Sequence, residues 1–177
     1  LALGATIYKA QLNISDLERH YYAEHQLTLA CHPSETQTRL MVRLLAFIAN
    51  AHEDLAFTKG LSTDDEPDLW LKAPDGRILL WIELGDPSVK RIKQGLSKAE
   101  QVLVFAYGGR SSQQWWQQNS AELKPLKRLN VWHLGSEQAS ELAGLAQRNM
   151  SISATLIEGE WLLTDGAQSI TLTIEKW

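Results

Sequence analysis

One cysteine, Cys31, in 177 residues excludes an intramolecular disulfide and points to a reducing, cytoplasmic setting. No Cys/His spacing suits zinc, and the five histidines, His20, His25, His32, His52 and His133, show no ligand periodicity. An excess of positive charge is also missing. The formal net charge of −4 argues against wholesale electrostatic capture of nucleic acid and leaves only a local basic patch. No apolar run is long enough to cross a bilayer, and no apolar leader segment follows the first residues. Internal repeats and low-complexity tracts are likewise missing. What remains, 44% hydrophobic and 21% charged, is the composition of a globular domain with a real core.

The patterning then orders the chain. Ile7, Leu12 and Ile14, the turn Ser15-Asp16-Leu17-Glu18-Arg19, and Tyr21 to Leu29 predict an antiparallel hairpin over 5–30. Ser34 followed by Gln37 reads as a capping box opening a helix to about Glu53, with Leu40, Met41, Leu44, Leu45 and Ile48 at helical spacing. A short strand at Leu55–Thr58 and the acidic loop Ser62–Pro67 lead to a strand over Asp68–Lys72 and the turn Pro74-Asp75-Gly76. Ile78–Leu84 is almost unbroken apolar sequence, as in a central strand covered on both faces. Asp86-Pro87 predicts the cap of a helix to about Glu100, and Val102–Tyr107 a second central strand parallel to the first. A helix over Ser111–Lys124, a strand at Asn130–Leu134 and a helix from Ser136 to about Arg148 follow. The segment after Ser151 changes to short strands joined by turns, expected to pair with the terminal hairpin.

Two carboxylates stand out within that frame. Asp68 and Glu83 lie in adjacent predicted strands, and Glu83 ends a strand face otherwise made of Leu79 and Trp81, where an unpartnered acid is costly. Two hard oxygen donors suit Mg²⁺, or Mn²⁺ in its place. On the following helix, Val89, Ile92, Leu96 and Ala99 form the apolar stripe, and Lys93 at its border is the lysine expected to bring an ammonium to the acids. Lys90 is placed toward solvent. Asp64, Asp65 and Glu66 read as a solvated loop, Asp86 as a helix cap, and Cys31 as a buried thiol. Trp115 and Trp116 suit either base stacking or, more simply, core anchoring under the second sheet.

The run of helix, short strand, two acidic strands, helix and apolar strand resembles the core of the PD-(D/E)XK nuclease superfamily. Pro67-Asp68 matches the first half of that motif and Glu83-Leu84 begins the second. The lysine slot holds Gly85, a departure for which Lys93 is the candidate replacement. The whole chain is closer still to the bacterial YaeQ family. The resemblance rests on Ala5-Thr6-Ile7-Tyr8-Lys9-Ala10, His32-Pro33-Ser34-Glu35-Thr36-Gln37, Asp64-Asp65-Glu66-Pro67, Trp81-Ile82-Glu83-Leu84-Gly85, Arg91-Ile92-Lys93 and Trp115-Trp116-Gln117-Gln118-Asn119.

The resemblance implies a PD-(D/E)XK-like fold, a mixed central sheet flanked by helices (about 33–148), to which the patterning adds an antiparallel sheet from the terminal strands 5–30 and 151–177, in one α/β domain over 1–177. The first functional expectation, drawn from the acidic pair on that fold, is a metal-dependent phosphodiester hydrolase, nuclease-like. Asp68 and Glu83 would bind the metal with the Leu84 carbonyl and, from the first helix, Glu35, whose alternative role is to complement the helix dipole. Lys93 would stabilise the phosphate, and Arg39, Arg43, Lys90, Arg91 and Lys98 would contact a nucleic-acid backbone. The rival expectation is a non-catalytic regulator on the same scaffold, binding nucleic acid or a protein partner in transcription or repair.

Overall fold

The computed structural model describes residues 4–59 and 65–177. In chain order the elements are β1 (Thr6–Asp16), β2 (Tyr21–Cys31), α1 (Gln37–Ala49), β3 (Leu55–Phe57), β4 (Leu69–Lys72), β5 (Ile78–Leu84), α2 (Val89–Lys98), β6 (Ala99–Gly108), α3 (Arg110–Leu123), β7 (Leu129–Gly135), α4 (Ser136–Ala143), β8 (Asn149–Ile157), β9 (Glu160–Thr164), β10 (Ser169–Leu172) and β11 (Glu175–Lys176). Among the described residues these make four helices and two mixed sheets, so the protein is of the mixed α/β class. They fall into two compact units, one of residues 1–49 and 137–174, the other of 50–136 and 175–177.

The first unit holds a five-stranded sheet in the order β10-β9-β8-β1-β2. Its strands alternate strictly: Ala10, Leu12 and Ile14, Met150, Ile152 and Ala154, and Trp161 and Leu163 are buried, while Gln11, Asn13, Ser151 and Ser153 face water. The sheet is not antiparallel throughout, as the sequence suggested. β1 pairs antiparallel with β2 through the hairpin but parallel with β8, Leu12 opposite Ile152. Most of the chain lies between β1 and β8, which leaves room for a crossover, so nothing in the local sequence dictates the direction of that pairing.

Helix α1 begins later than expected. Thr36, not Ser34, caps it: its hydroxyl accepts from the Arg39 N–H at 3.1 Å, while the Ser34 hydroxyl is hydrogen-bonded to His32 Nδ1 at 2.7 Å. Glu35 therefore precedes the helix instead of opening it.

The second unit is built on a six-stranded sheet in the order β11-β7-β6-β5-β4-β3. β5, β6 and β7 are parallel, joined by α2 and α3. Both crossovers proceed in one direction across the sheet, and right-handed connection puts both helices on the same face. Trp81, Ile92, Leu96, Val102, Val104, Leu123 and Val131 form the core there, with Trp115, Trp116 and Trp177 packed against it. The two adjacent tryptophans thus anchor this unit and not the terminal sheet. β11 is a further departure: Glu175 and Lys176 pair with His133 and Trp132 of β7, while the Trp177 ring stacks on His133 at 4.2 Å and on Trp116 at 5.4 Å.

Candidate functional site

The β4–β5 register puts Leu69 opposite Ile82, and the Asp68 N–H donates to the Ile82 carbonyl at 3.0 Å. One step further along this antiparallel pair, Asp68 faces Glu83, and directly opposed residues share a sheet face. Both are buried, at 5% and 7% exposure. Asp68 Oδ2 accepts the Leu84 N–H at 2.9 Å, so one carboxylate is fastened to the strand that carries the other. Glu83 Oε1 accepts twice, from Trp81 Nε1 and from Arg91 Nε, each at 2.9 Å. Its other oxygen, Oε2, makes no hydrogen bond to any described residue.

Burial is the main reason the Glu83 carboxyl titrates high, at about 6 against an ordinary 4.5, and the negative charge of Asp68 adds to it. The Arg91 charge and the hydrogen bonds from Trp81 and Arg91 pull the other way without restoring the ordinary value.

The cation at the acids is Arg91, not Lys93. Lys93 is half exposed, and its ammonium pairs with Glu122 Oε1 at 2.8 Å. The cause is the rotational phase of α2. Ser88 caps the helix through a bond from the Arg91 N–H. One turn on from Arg91, Gly95 presses on Trp81 so closely that an added Cβ would lie 2.9 Å from the indole nitrogen. That contact directs the Arg91–Gly95 side of the helix toward Trp81 and Glu83. Lys93, roughly 200° further round at 3.6 residues per turn, points toward α3. Gly85 has a physical reason too. Its φ of 90° is a conformation that a lysine side chain would strain, so the usual lysine slot is closed by the backbone.

Arg91 also reaches past Glu83. Its Nη2 donates to the Glu66 carbonyl at 2.6 Å, tying down the residue just before Pro67-Asp68. Sequence reasoning treated Arg91 only as a backbone contact. Its spacing of four from Gly95, the residue that permits close helix approach, was the signal that could have singled it out. Ser112, also missed, is buried and donates to Asp86 Oδ1 at 3.0 Å; Asp86 is thus a partner of α3 and not the cap of α2.

The remaining candidates lie apart from this pair in role. Glu35, in the first unit, accepts from Arg39 Nη1 and Arg43 Nη2, each at 2.7 Å. Arg43 is 4% exposed and also donates to the Ala30 carbonyl. It is an internal counter-charge and not a surface phosphate contact, because the apolar helix around it, buried at every position from Leu40 to Ile48, can bury a cation only against an anion. Lys90 and Lys98 are exposed on α2. Leu84 meets Asp68 through its N–H. Asp64 lies outside the described residues. Among the described residues no three His, Cys, Asp or Glu side chains group as a metal cluster.

Fold and site together define a mixed α/β protein with two opposed, buried carboxylates at the end of a central strand, one of them paired with an arginine. The family model described as "YaeQ protein" matches residues 1–174. Uncharacterized YaeQ proteins of Escherichia coli K12 and Salmonella typhi are 44% and 45% identical over 177 residues, all of this chain and 98% of theirs. The crystal structure of YaeQ from Xanthomonas axonopodis pv. citri superposes with a TM-score of 0.94 at 42% identity, covering 97% of each chain. That of Pseudomonas syringae YaeQ gives 0.91 at 35% identity, covering 97% of this chain and 95% of the other. The chain belongs to the YaeQ family. No helix of the described residues is long and apolar enough to cross a membrane.

Proposed function

We propose that the protein is a divalent-metal-dependent phosphodiester hydrolase, nuclease-like, on a PD-(D/E)XK scaffold. The observation that carries this reading is the opposed, buried pair Asp68 and Glu83 on adjacent strands. The donor set fits Mg²⁺ or Mn²⁺: two hard carboxylates on opposed strand positions, one of them with an oxygen that no described residue hydrogen-bonds. Such an ion, when bound, would activate a water and neutralise charge on a phosphate. Asp68, held by the Leu84 N–H, and Glu83, held by Trp81, would be its protein ligands. Arg91 supplies the cation that Lys93 was expected to supply. Lys90 and Lys98, exposed on the same helix, are the candidates to meet a phosphate backbone.

A specific observation favours a second reading, a non-catalytic nucleic-acid- or protein-binding regulator on a degenerate scaffold. The Arg91 guanidinium already neutralises Glu83, and Gly85 leaves the lysine slot empty. One experiment separates the two. Single- and double-stranded DNA and RNA are incubated with Mg²⁺ or Mn²⁺, and calorimetric titration of each ion is run on wild type and Asp68→Ala. The hydrolase reading expects metal-dependent cleavage and ion binding, both lost in Asp68→Ala. An intact protein that binds no ion and cuts none of these substrates leaves the regulator.

A further inference from the structure

Arg91 is fixed by more contacts than a surface arginine needs. Its Nε reaches Glu83, its Nη2 reaches the Glu66 carbonyl, and its guanidinium carbon lies 5.6 Å from the Trp81 ring centroid. Its side chain is 20% exposed, and α2 is held in register beneath it by the Gly95–Trp81 contact. A guanidinium stays charged at any physiological pH, so it cannot leave by deprotonation. It can leave only by exchanging partners.

The charges at this point do not permit every partner at once. A divalent cation drawn to the opposed acids would stand beside a permanently positive group that uses the same carboxylate. Like charges at close range in a partly desolvated site repel strongly. The oxygen of Glu83 that makes no hydrogen bond to a described residue, Oε2, gives the ion a foothold, while Oε1 is the atom the arginine holds.

We propose that Arg91 is a built-in counter-cation that a divalent ion must displace from Glu83, and that the released guanidinium then turns its paired donors to the phosphate of the substrate. The proposal rests on the reading of Asp68 and Glu83 as a divalent-cation pair. In the resting protein Glu83 is paired with an internal charge. Loading the ion frees a bidentate, phosphate-binding group beside it.

Calorimetric titration with MnCl₂ of wild type, Arg91→Met, Arg91→Lys and Lys90→Met tests it. Arg91→Met is expected to tighten Mn²⁺ binding about tenfold, the scale of one close like-charge contact in a partly screened site. Arg91→Lys, which keeps the charge, and Lys90→Met, which removes an exposed one, should both stay within about threefold of wild type. A second readout needs no variant at position 91. With 5-fluorotryptophan incorporated and the Trp81 signal assigned by Trp81→Phe, the Trp81 ¹⁹F resonance should shift on adding MgCl₂, because the indole and Arg91 share Oε1. Unchanged or weaker Mn²⁺ binding in Arg91→Met, with wild type binding normally, overturns the displacement and leaves the cation pair standing, with Arg91 then a positioning residue for Glu83. A static Trp81 resonance in a protein that binds Mg²⁺ does the same. No Mn²⁺ binding in any of the proteins, or binding to Asp68→Asn equal to that of wild type, overturns the cation-pair reading itself, and the displacement with it.

Discussion

A carboxyl group held at about 6 instead of 4.5 is still partly protonated at a pH where most glutamates are fully ionised. The sign of its effect on stability follows. The folded state binds the proton more tightly than the unfolded one, so Glu83 contributes nothing unfavourable below pH about 4.5. It costs stability progressively as pH rises through 6, by about 2 kcal/mol in total. Glu83→Gln, neutral throughout, should therefore gain about 2 kcal/mol relative to wild type between pH 4 and pH 7.5, measured by urea denaturation at each pH. Asp68→Asn removes one cause of the shift and should bring the Glu83 titration down, while Arg91→Met should push it up; ¹³C-carboxyl NMR reads both. Asp68 and Glu83 were legible in the sequence because strand alternation fixes which side chains share a face. The cation was not. Lys93 and Arg91 lie two positions apart on one helix, and the choice between them is made by the contact of Gly95 with Trp81: the spacing of four marks Arg91 and Gly95 as one side of the helix, but only tertiary packing sets that side against Trp81.

Elements differ in how much of themselves they declare. The continuous apolar runs of β5 and β6 announced central parallel strands, and those strands form with the expected core. The tail of the chain announced alternation but not destination: β8 runs parallel to β1, and β11 crosses to the other sheet, because strand partners are chosen by tertiary packing that short segments do not encode. Helix α2 offers a sharp test of packing against propensity. Gly95→Ala should gain up to about 1 kcal/mol in helix propensity. The added methyl would meet the buried Trp81 indole at 2.9 Å, and overpacking of that kind costs about 1–3 kcal/mol. Net destabilisation is expected in chemical denaturation, with a displaced Glu83 titration as its local signature. Trp177→Ala, which empties the stack between His133 and Trp116, should cost about 2 kcal/mol, less than a fully buried tryptophan would.

The charges of the whole molecule are distributed unevenly. The first unit has 5 basic and 9 acidic residues and the second 12 of each, which together make the chain's 17 and 21. Arg39 and Arg43 are held by Glu35, so of the five cations expected at a phosphate backbone Lys90, Lys98 and, once released from Glu83, Arg91 remain. Three phosphate contacts predict that the logarithm of any DNA affinity falls with the logarithm of salt with a slope no steeper than about −3. A filter-binding series across salt concentrations checks it, and a steeper slope would require basic residues outside this set. The parallel pairing of β1 with β8 has its own consequence for the nascent chain. Synthesis delivers Leu12 early and Ile152 near the end, yet the two are neighbours in the finished sheet. The leading hairpin must therefore wait, one edge of β1 unpaired, while the intervening polypeptide is translated. That wait exposes a sticky strand to other chains in the crowded space around the ribosome, where escort by a chaperone would be of most use.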